Sequence, residues 1–353
     1  MYFKFYKLRD WGERSAGVRR RNCAGLPKGK MPPLRKGGIF ERNMQKKEPV
    51  MRYYFAPMEG LTDSIYRREH HRFFPGVDRY YMPFLSPTIH HSLSQKEERE
   101  LPLADSVDFC AVPQVLTKVP EDFLWAAHLC RDRGYEEINL NLGCPSGTVV
   151  AKGKGSGMLR DPDALDRFLD AVFGATPLPI SIKTRLGLED PEEFPALLAV
   201  YNRYPICELT VHPRVRKQFY NGSADLEWFR YALENSKNPL CYNGDLRSLA
   251  QIGALCQEFP QVSSVMLGRG LLADPGMLCG GTDRAVLEAF MNALLEQYLT
   301  AFGGSRNAMF RMKENWSFLQ SAFPGQEKLF KRLRKTTDLA EYQAITAEIF
   351  HTP

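Results

Sequence analysis

The sequence predicts an α/β protein, a (β/α)8 TIM barrel with a small C-terminal helical domain and a basic N-terminal tail expected to be disordered. Three observations predict it. Short β-rich runs recur eight times between Tyr53 and Leu267, amphipathic helical stretches separate several of them, and polar or glycine-containing loops follow their C-terminal ends. The boundaries expected are 1–50 for the tail, 51–280 for the barrel and 281–353 for the helical domain.

In chain order the expected strands are Tyr53–Ala56, Arg79–Met82, Phe109–Val115, Glu137–Leu142, Pro179–Thr184, Glu208–His212, Leu240–Asn243 and Val262–Leu267. Among the intervening helices, "DPDALDRFLDAVFG" is the best specified. Asp161 can cap it, Pro162 suits the first turn, Leu165, Phe168, Leu169, Val172 and Phe173 share one face, and Gly174 is expected to stop it. "PEDFLWAAHLCRDRG" plays the same part between the third and fourth strands. Such barrels build their sites at the C-terminal ends of the strands. Here those ends carry Pro57-Met58-Glu59-Gly60, Gln114, Asn141 with Cys144, Lys183 with Arg185, His212 with Arg214, Asn243-Gly244-Asp245, and Gly268-Arg269-Gly270.

The bulk properties narrow the class. A hydrophobic fraction of 44% and a charged fraction of 25% are ordinary for a soluble globular protein, and no run of about 18 apolar residues offers a membrane span. The net charge of +6 is uneven: residues 1–50 hold 14 Lys+Arg against 4 Asp+Glu, so residues 51–353 carry a net −4. That first segment, rich in Gly, Pro, Arg and Lys, reads as a disordered tail or as residues upstream of a true start at Met51, with an RNA-contacting arm as the sharper alternative. Eight cysteines are spread singly with no C-x-x-C pair, the usage of a reduced, cytoplasmic protein. The pairs His70-His71 and His90-His91 lack helical i, i+4 spacing and companion carboxylates, so no metal is expected.

Cys144 stands apart from the other cysteines. In "NLNLGCPSG" it lies between Gly143 and Pro145 directly after a buried run, presented at a strand end rather than packed within one. With "APMEGLTD", "PQVL", "NLGCPSGTV", "IKTRLG", "TVHPRVRKQFYNG", "YNGD" and "LGRG" in that order from Tyr53 to Gly270, the chain resembles the tRNA-dihydrouridine synthases. The tail "FRMKENWSFL" is similar to the start of that family's C-terminal helical region.

The resemblance implies reduction of the C5–C6 double bond of a D-loop uridine in tRNA, with FMN as the hydride source, NADPH as its transient reductant and Cys144 as the proton donor. It implies that Lys183 and His212 lie beside the flavin's N1–C2=O region, where a cation stabilises the reduced anion. Gln114 and the Pro57-Met58 backbone would face the isoalloxazine ring. Asn243, Gly244, Asp245, Gly268 and Arg269 would hold the phosphate end. Asn141 is either a turn residue or an amide pairing with the uracil edge. Arg185, Arg214 and Arg216 form a basic rim for the RNA backbone, supported by a basic run at "EKLFKRLRK" that a solvated helix face would also explain. No G-x-G-x-x-G follows a strand, so no separate nicotinamide domain is expected. A monomer is expected. Two rivals remain at this point: a flavin barrel acting on a free pyrimidine such as dihydroorotate, disfavoured by the basic tail, and a non-enzymatic RNA-binding barrel, disfavoured by the intact cysteine and flavin-contact motifs.

Overall fold

The structure is a computed structural model and describes residues 51–352. The expectations for the tail at 1–50 lie outside the described residues.

Nine parallel strands form one sheet: β1 (Arg52–Phe55), β2 (Arg79–Tyr81), β3 (Ala111–Val112), β4 (Gln114–Val115), β5 (Ile138–Leu142), β6 (Ile180–Arg185), β7 (Leu209–His212), β8 (Leu240–Tyr242) and β9 (Ser264–Leu267). Their order, β3-β2-β1-β9-β8-β7-β6-β5-β4, starts and ends on two segments separated by Pro113 alone. The sheet therefore closes on itself as a barrel of eight strand positions. The expected third strand, Phe109–Val115, is shorter and split, because Pro113 has no N–H to continue the ladder. The chain after β2 bridges the break: the Leu85 N–H donates to the Gln114 carbonyl at 2.8 Å, and the Leu116 N–H donates to the Leu85 carbonyl at 2.8 Å. All five residues of β5 are buried, as a parallel strand covered on both faces requires.

The Pro162–Ala175 helix begins as its sequence signals say, with the Asp161 carboxylate accepting from the Ala164 N–H at 2.9 Å, and it buries Leu165, Phe168, Leu169 and Val172. It runs through Gly174 and ends one residue later. After the barrel come helices Arg284–Phe302, Ser305–Leu319, Glu327–Lys335 and Leu339–His351. The first of them meets the Ser64–Phe73 helix through Phe290, whose ring centroid is 5.5 Å from Tyr66 and 5.2 Å from Phe74. Trp316 anchors the last three, surrounded by Phe323, Phe330 and Phe350 and donating its indole N–H to the Tyr342 hydroxyl at 2.8 Å. These side chains join the same continuous buried cluster as the barrel's, so the helices are packed onto the barrel rather than tethered to it.

Among the described residues no helix is long and apolar enough to cross a membrane. None of their His, Cys, Asp and Glu side chains form a group of three or more able to hold a metal ion. His70 sits in the core, its ring nitrogens 2.8 Å from the Tyr80 hydroxyl and 3.1 Å from the Pro275 carbonyl, while His91 stacks on Trp125.

Candidate active site

A cleft of about 270 Å³ opens at the C-terminal ends of the strands. Its lining includes Pro57, Met58, Asn141, Cys144, Lys183, Arg185, His212, Asn243, Gly244, Asp245, Gly268 and Arg269, drawn from loops far apart in sequence.

The loop bearing Cys144 is fixed from every side. The Asn141 side-chain carbonyl accepts from the Gly143 N–H at 3.1 Å and the Cys144 N–H at 2.9 Å. The Gly143 carbonyl accepts from Arg185 Nε at 2.9 Å, and the Cys144 carbonyl accepts from the Ser156 hydroxyl at 2.8 Å. Gly155, at φ +57°, makes that last approach possible, since a Cβ there would lie 3.0 Å from the Cys144 Cβ. Burial is the main influence on the thiol and pushes its pKa above the ordinary value, against a smaller opposing pull from the Ser146 N–H and from Arg185 and Lys183. The group is a thiol, not a thiolate, at neutral pH, and so is suited to giving up a proton.

Across the barrel mouth stand basic side chains. Lys183, paired in register with Asn141 on the neighbouring strand, has its pKa lowered to about 7 by burial and then by the charge of Arg185. Among the described residues no hydrogen-bond partner meets its ammonium. His212 lies next along the barrel, with its Nε2 3.0 Å from Arg214 Nη1. Arginine can only donate, so that nitrogen accepts and the ring proton sits on Nδ1. Burial, followed by the charges of Arg185, Lys183 and Arg214, holds this imidazole neutral. Asp245 binds both Arg214 and Arg269, the latter at 2.7 Å. Desolvation works to raise its pKa, but the Arg214 hydrogen bond and the two guanidinium charges hold it below the usual carboxylate range.

The basic rim differs from its expectation. Arg214 is 1% exposed and gives its donors to Asp245, His212 and the carbonyls of Asn221 and Gly222. Arg185 is 2% exposed and binds the Gly143, Val215 and Phe219 carbonyls. Arg216 stands outside the cleft with its guanidinium over the Phe219 ring. Arg185 and Arg214, which looked like rim charges in the sequence, therefore brace loops, because folded carbonyls reach them before a ligand does. Gln114 is also displaced from the cleft lining. It lies one layer down, accepting from Asn141 Nδ2 at 2.8 Å and donating to Asn139 at 2.7 Å, so it orients Asn141. Both ends of the Asn141 amide are thereby engaged, one with Gln114 and the other with the cysteine loop.

Tyr220 and Phe84 line the cleft and were missed in the sequence. Tyr220 packs under two guanidinium groups, 4.4 Å from Arg269 and 5.6 Å from Arg185. It stood within a recognised motif, but nothing in a lone Tyr marks it as a site residue. Phe84 follows an unremarkable strand and carried no signal.

The fold and cleft define an oxidoreductase on a (β/α)8 barrel, with a proton-bearing thiol at one strand end and, at the next two, a lysine amine without a hydrogen-bond partner among the described residues and a neutral imidazole. The chain belongs to the dihydrouridine synthase family, whose model, described as "Dihydrouridine synthase (Dus)", matches residues 54–349. It is 31% identical over 224 residues to a probable tRNA-dihydrouridine synthase of Rickettsia bellii, covering 63% of this chain and 68% of that one. It is 27% identical over 329 residues to the tRNA-dihydrouridine(16) synthase of Neisseria meningitidis serogroup B, covering 88% of this chain and 98% of that one. Among solved structures, a 2-naphthoyl-CoA reductase in complex with 2-naphthoyl-CoA superposes with a TM-score of 0.50 at 9% identity, covering 65% of this chain and 49% of that one. At that identity the likeness shows the fold alone.

Proposed function

We propose that the protein is a tRNA-dihydrouridine synthase that reduces the C5–C6 bond of a D-loop uridine, using FMN reduced by NADPH and Cys144 as the proton donor. The observation that carries this reading is the meeting in one cleft of a partly buried cysteine, whose pKa burial raises, with a lysine amine that has no hydrogen-bond partner among the described residues. The residues present fit FMN: Lys183 and the Nδ1–H of His212 suit the anionic N1–C2=O edge, and Arg269 with the Gly244 and Gly268 backbones suits a phosphate. FMN, when bound, supplies the hydride.

The chain's own residues do the rest. Cys144 gives its proton to the ring carbon that does not take the hydride, completing a saturated C5–C6 bond. Asn141 and Arg185 hold the cysteine loop so that the thiol meets the base at one fixed position. Burial disfavours the resulting thiolate, so it is reprotonated before the next turnover.

Mapping dihydrouridine in tRNA from cells lacking the gene tests this reading: one D-loop position should revert to uridine. Unchanged tRNA, with turnover of free uracil by the reduced protein, would favour the free-pyrimidine rival. Arg269→Ala should release flavin from the purified yellow protein, and a variant that keeps its full complement at micromolar concentration would place the phosphate elsewhere.

The Glu327–Lys335 helix presents Lys328, Lys331, Arg332 and Arg334 to solvent, while Phe330 and Leu333 face the core. Replacing the four cations by Ala should weaken tRNA binding and flatten its salt dependence, leaving flavin reduction by NADPH unchanged. Arg332 already pairs with Glu348 at 3.0 Å, so the other three carry most of the effect. Equal tRNA affinity at all salt concentrations would make this helix a solvated face and nothing more.

A further inference from the structure

A second cavity, of about 400 Å³, lies beside the cleft, between the loops after β1 and β2, the short Gln95–Glu100 helix and the C-terminal helices. Glu59 and Phe84 line both spaces, so the two adjoin. The volume falls within the range of small-ligand sites. Its walls are apolar over much of their area, with Ile65, Met82, Leu85, Leu101 and Phe302 facing inward. The charged groups around it are largely matched to each other: Lys96 with Glu59 at 2.9 Å, Arg67 with Glu100 at 3.2 Å, and Arg311 with Asp63 and Glu314 at 3.5 and 3.0 Å. Gly60 helps to build it, since at φ +78° it lacks the Cβ that would stand 3.0 Å from the Arg311 guanidinium.

We infer that this cavity is a second nucleobase subsite, which receives the base of a nucleotide neighbouring the target uridine. The inference rests on the proposed function above. Because Lys96 and Arg311 are neutralised in place and only Arg99 at the mouth is left without an ion pair among the described residues, the interior is poorly made for a phosphate, whereas a flat, weakly polar ring fits walls that pair an aromatic face with aliphatic ones. An RNA strand whose uridine occupies the cleft must set the next nucleotide within one backbone step, and this cavity adjoins the cleft across Glu59 and Phe84. Phe302 is the stacking wall, itself held by a parallel contact with Tyr298 at 5.5 Å. Arg99, exposed at the mouth, has no ion-pair partner among the described residues and is placed to cover the base once seated.

The test is a coupling cycle on the flavin-loaded, full-length protein, read as Kd for unmodified tRNA transcripts by filter binding. Abasic sites are scanned through the D-loop, one per transcript. Phe302→Ala should raise Kd about tenfold on intact tRNA, the loss of one base stack. One abasic position should raise it equally for the parent protein, and the variant should lose nothing more on that transcript. Arg99→Trp, a fold-neutral change at an exposed position, fills the mouth and should show the same pattern if Phe302→Ala proves unstable. Unchanged Kd in both variants, a loss that does not depend on any abasic site, or loss of flavin in place of RNA affinity would each overturn the assignment. The same coupling in a protein that reduces no uridine would uphold the subsite and overturn the proposed reaction.

Discussion

Replacing Cys144 by alanine is expected to slow reoxidation of the reduced enzyme by tRNA by about 10²–10⁴-fold, the usual loss when a general acid is removed. Flavin content and reduction by NADPH should be unaffected, because neither step uses the thiol. The loop should survive the change, since its position is set by backbone hydrogen bonds from Asn141, Arg185 and Ser156 and not by the sulfur. Serine is the sharper control. Its hydroxyl fits the space but is a far weaker acid than a thiol of ordinary pKa about 8.5, so Cys144→Ser should be crippled as well. Single-turnover reoxidation by unmodified tRNA, followed at the flavin absorbance, decides the matter. A serine variant as fast as the parent would reduce Cys144 to a well-placed structural thiol.

The second large effect is on stability. Arg214→Met should cost roughly 2–4 kcal/mol, because it strands Asp245, the His212 Nε2 acceptor and two backbone carbonyls at once. Asp245 keeps Arg269 and is a third exposed, which holds the penalty below that of a fully buried orphan charge. Since a barrel of this size shifts its Tm by about 2 °C per kcal/mol, thermal unfolding should fall by several degrees. His212 should also lose the partner that fixes its tautomer, so flavin affinity should drop even in molecules that remain folded. A variant with unchanged Tm and flavin content would mean that Arg214 is a replaceable filler. Direct RNA binding by Arg214, the role its sequence position first implied, predicts the opposite pattern of normal Tm with weakened tRNA affinity.

The barrel was legible in the chain because its signals are local. Each strand is a short apolar run ended by a polar turn, and the Asp161 cap and the face of Leu165, Phe168, Leu169 and Val172 are set by sequence neighbours. Pro113 was visible too, yet its consequence was not. That it splits one strand position into two, and that the Leu85 backbone bridges the gap, depends on a loop almost thirty residues away. The site divides in the same way. Cys144, Lys183, His212 and Arg269 declare themselves by residue type at a strand end, where the barrel leaves side chains facing one mouth.

The sequence by itself determined the repeating strand-and-helix order, the strand ends that bear chemistry and the family to which the chain belongs, all properties of residue type and short spacing. Only the tertiary structure decided what each arginine does. Whether a guanidinium meets solvent or a carbonyl depends on which loops the closed barrel brings within 3 Å, and a spacing pattern holds no record of that. Arg214 and Arg185 became braces, Arg269 alone of the expected rim and phosphate arginines kept a partly exposed place on the cleft, and the second cavity arose where barrel loops meet helices from the far end of the chain.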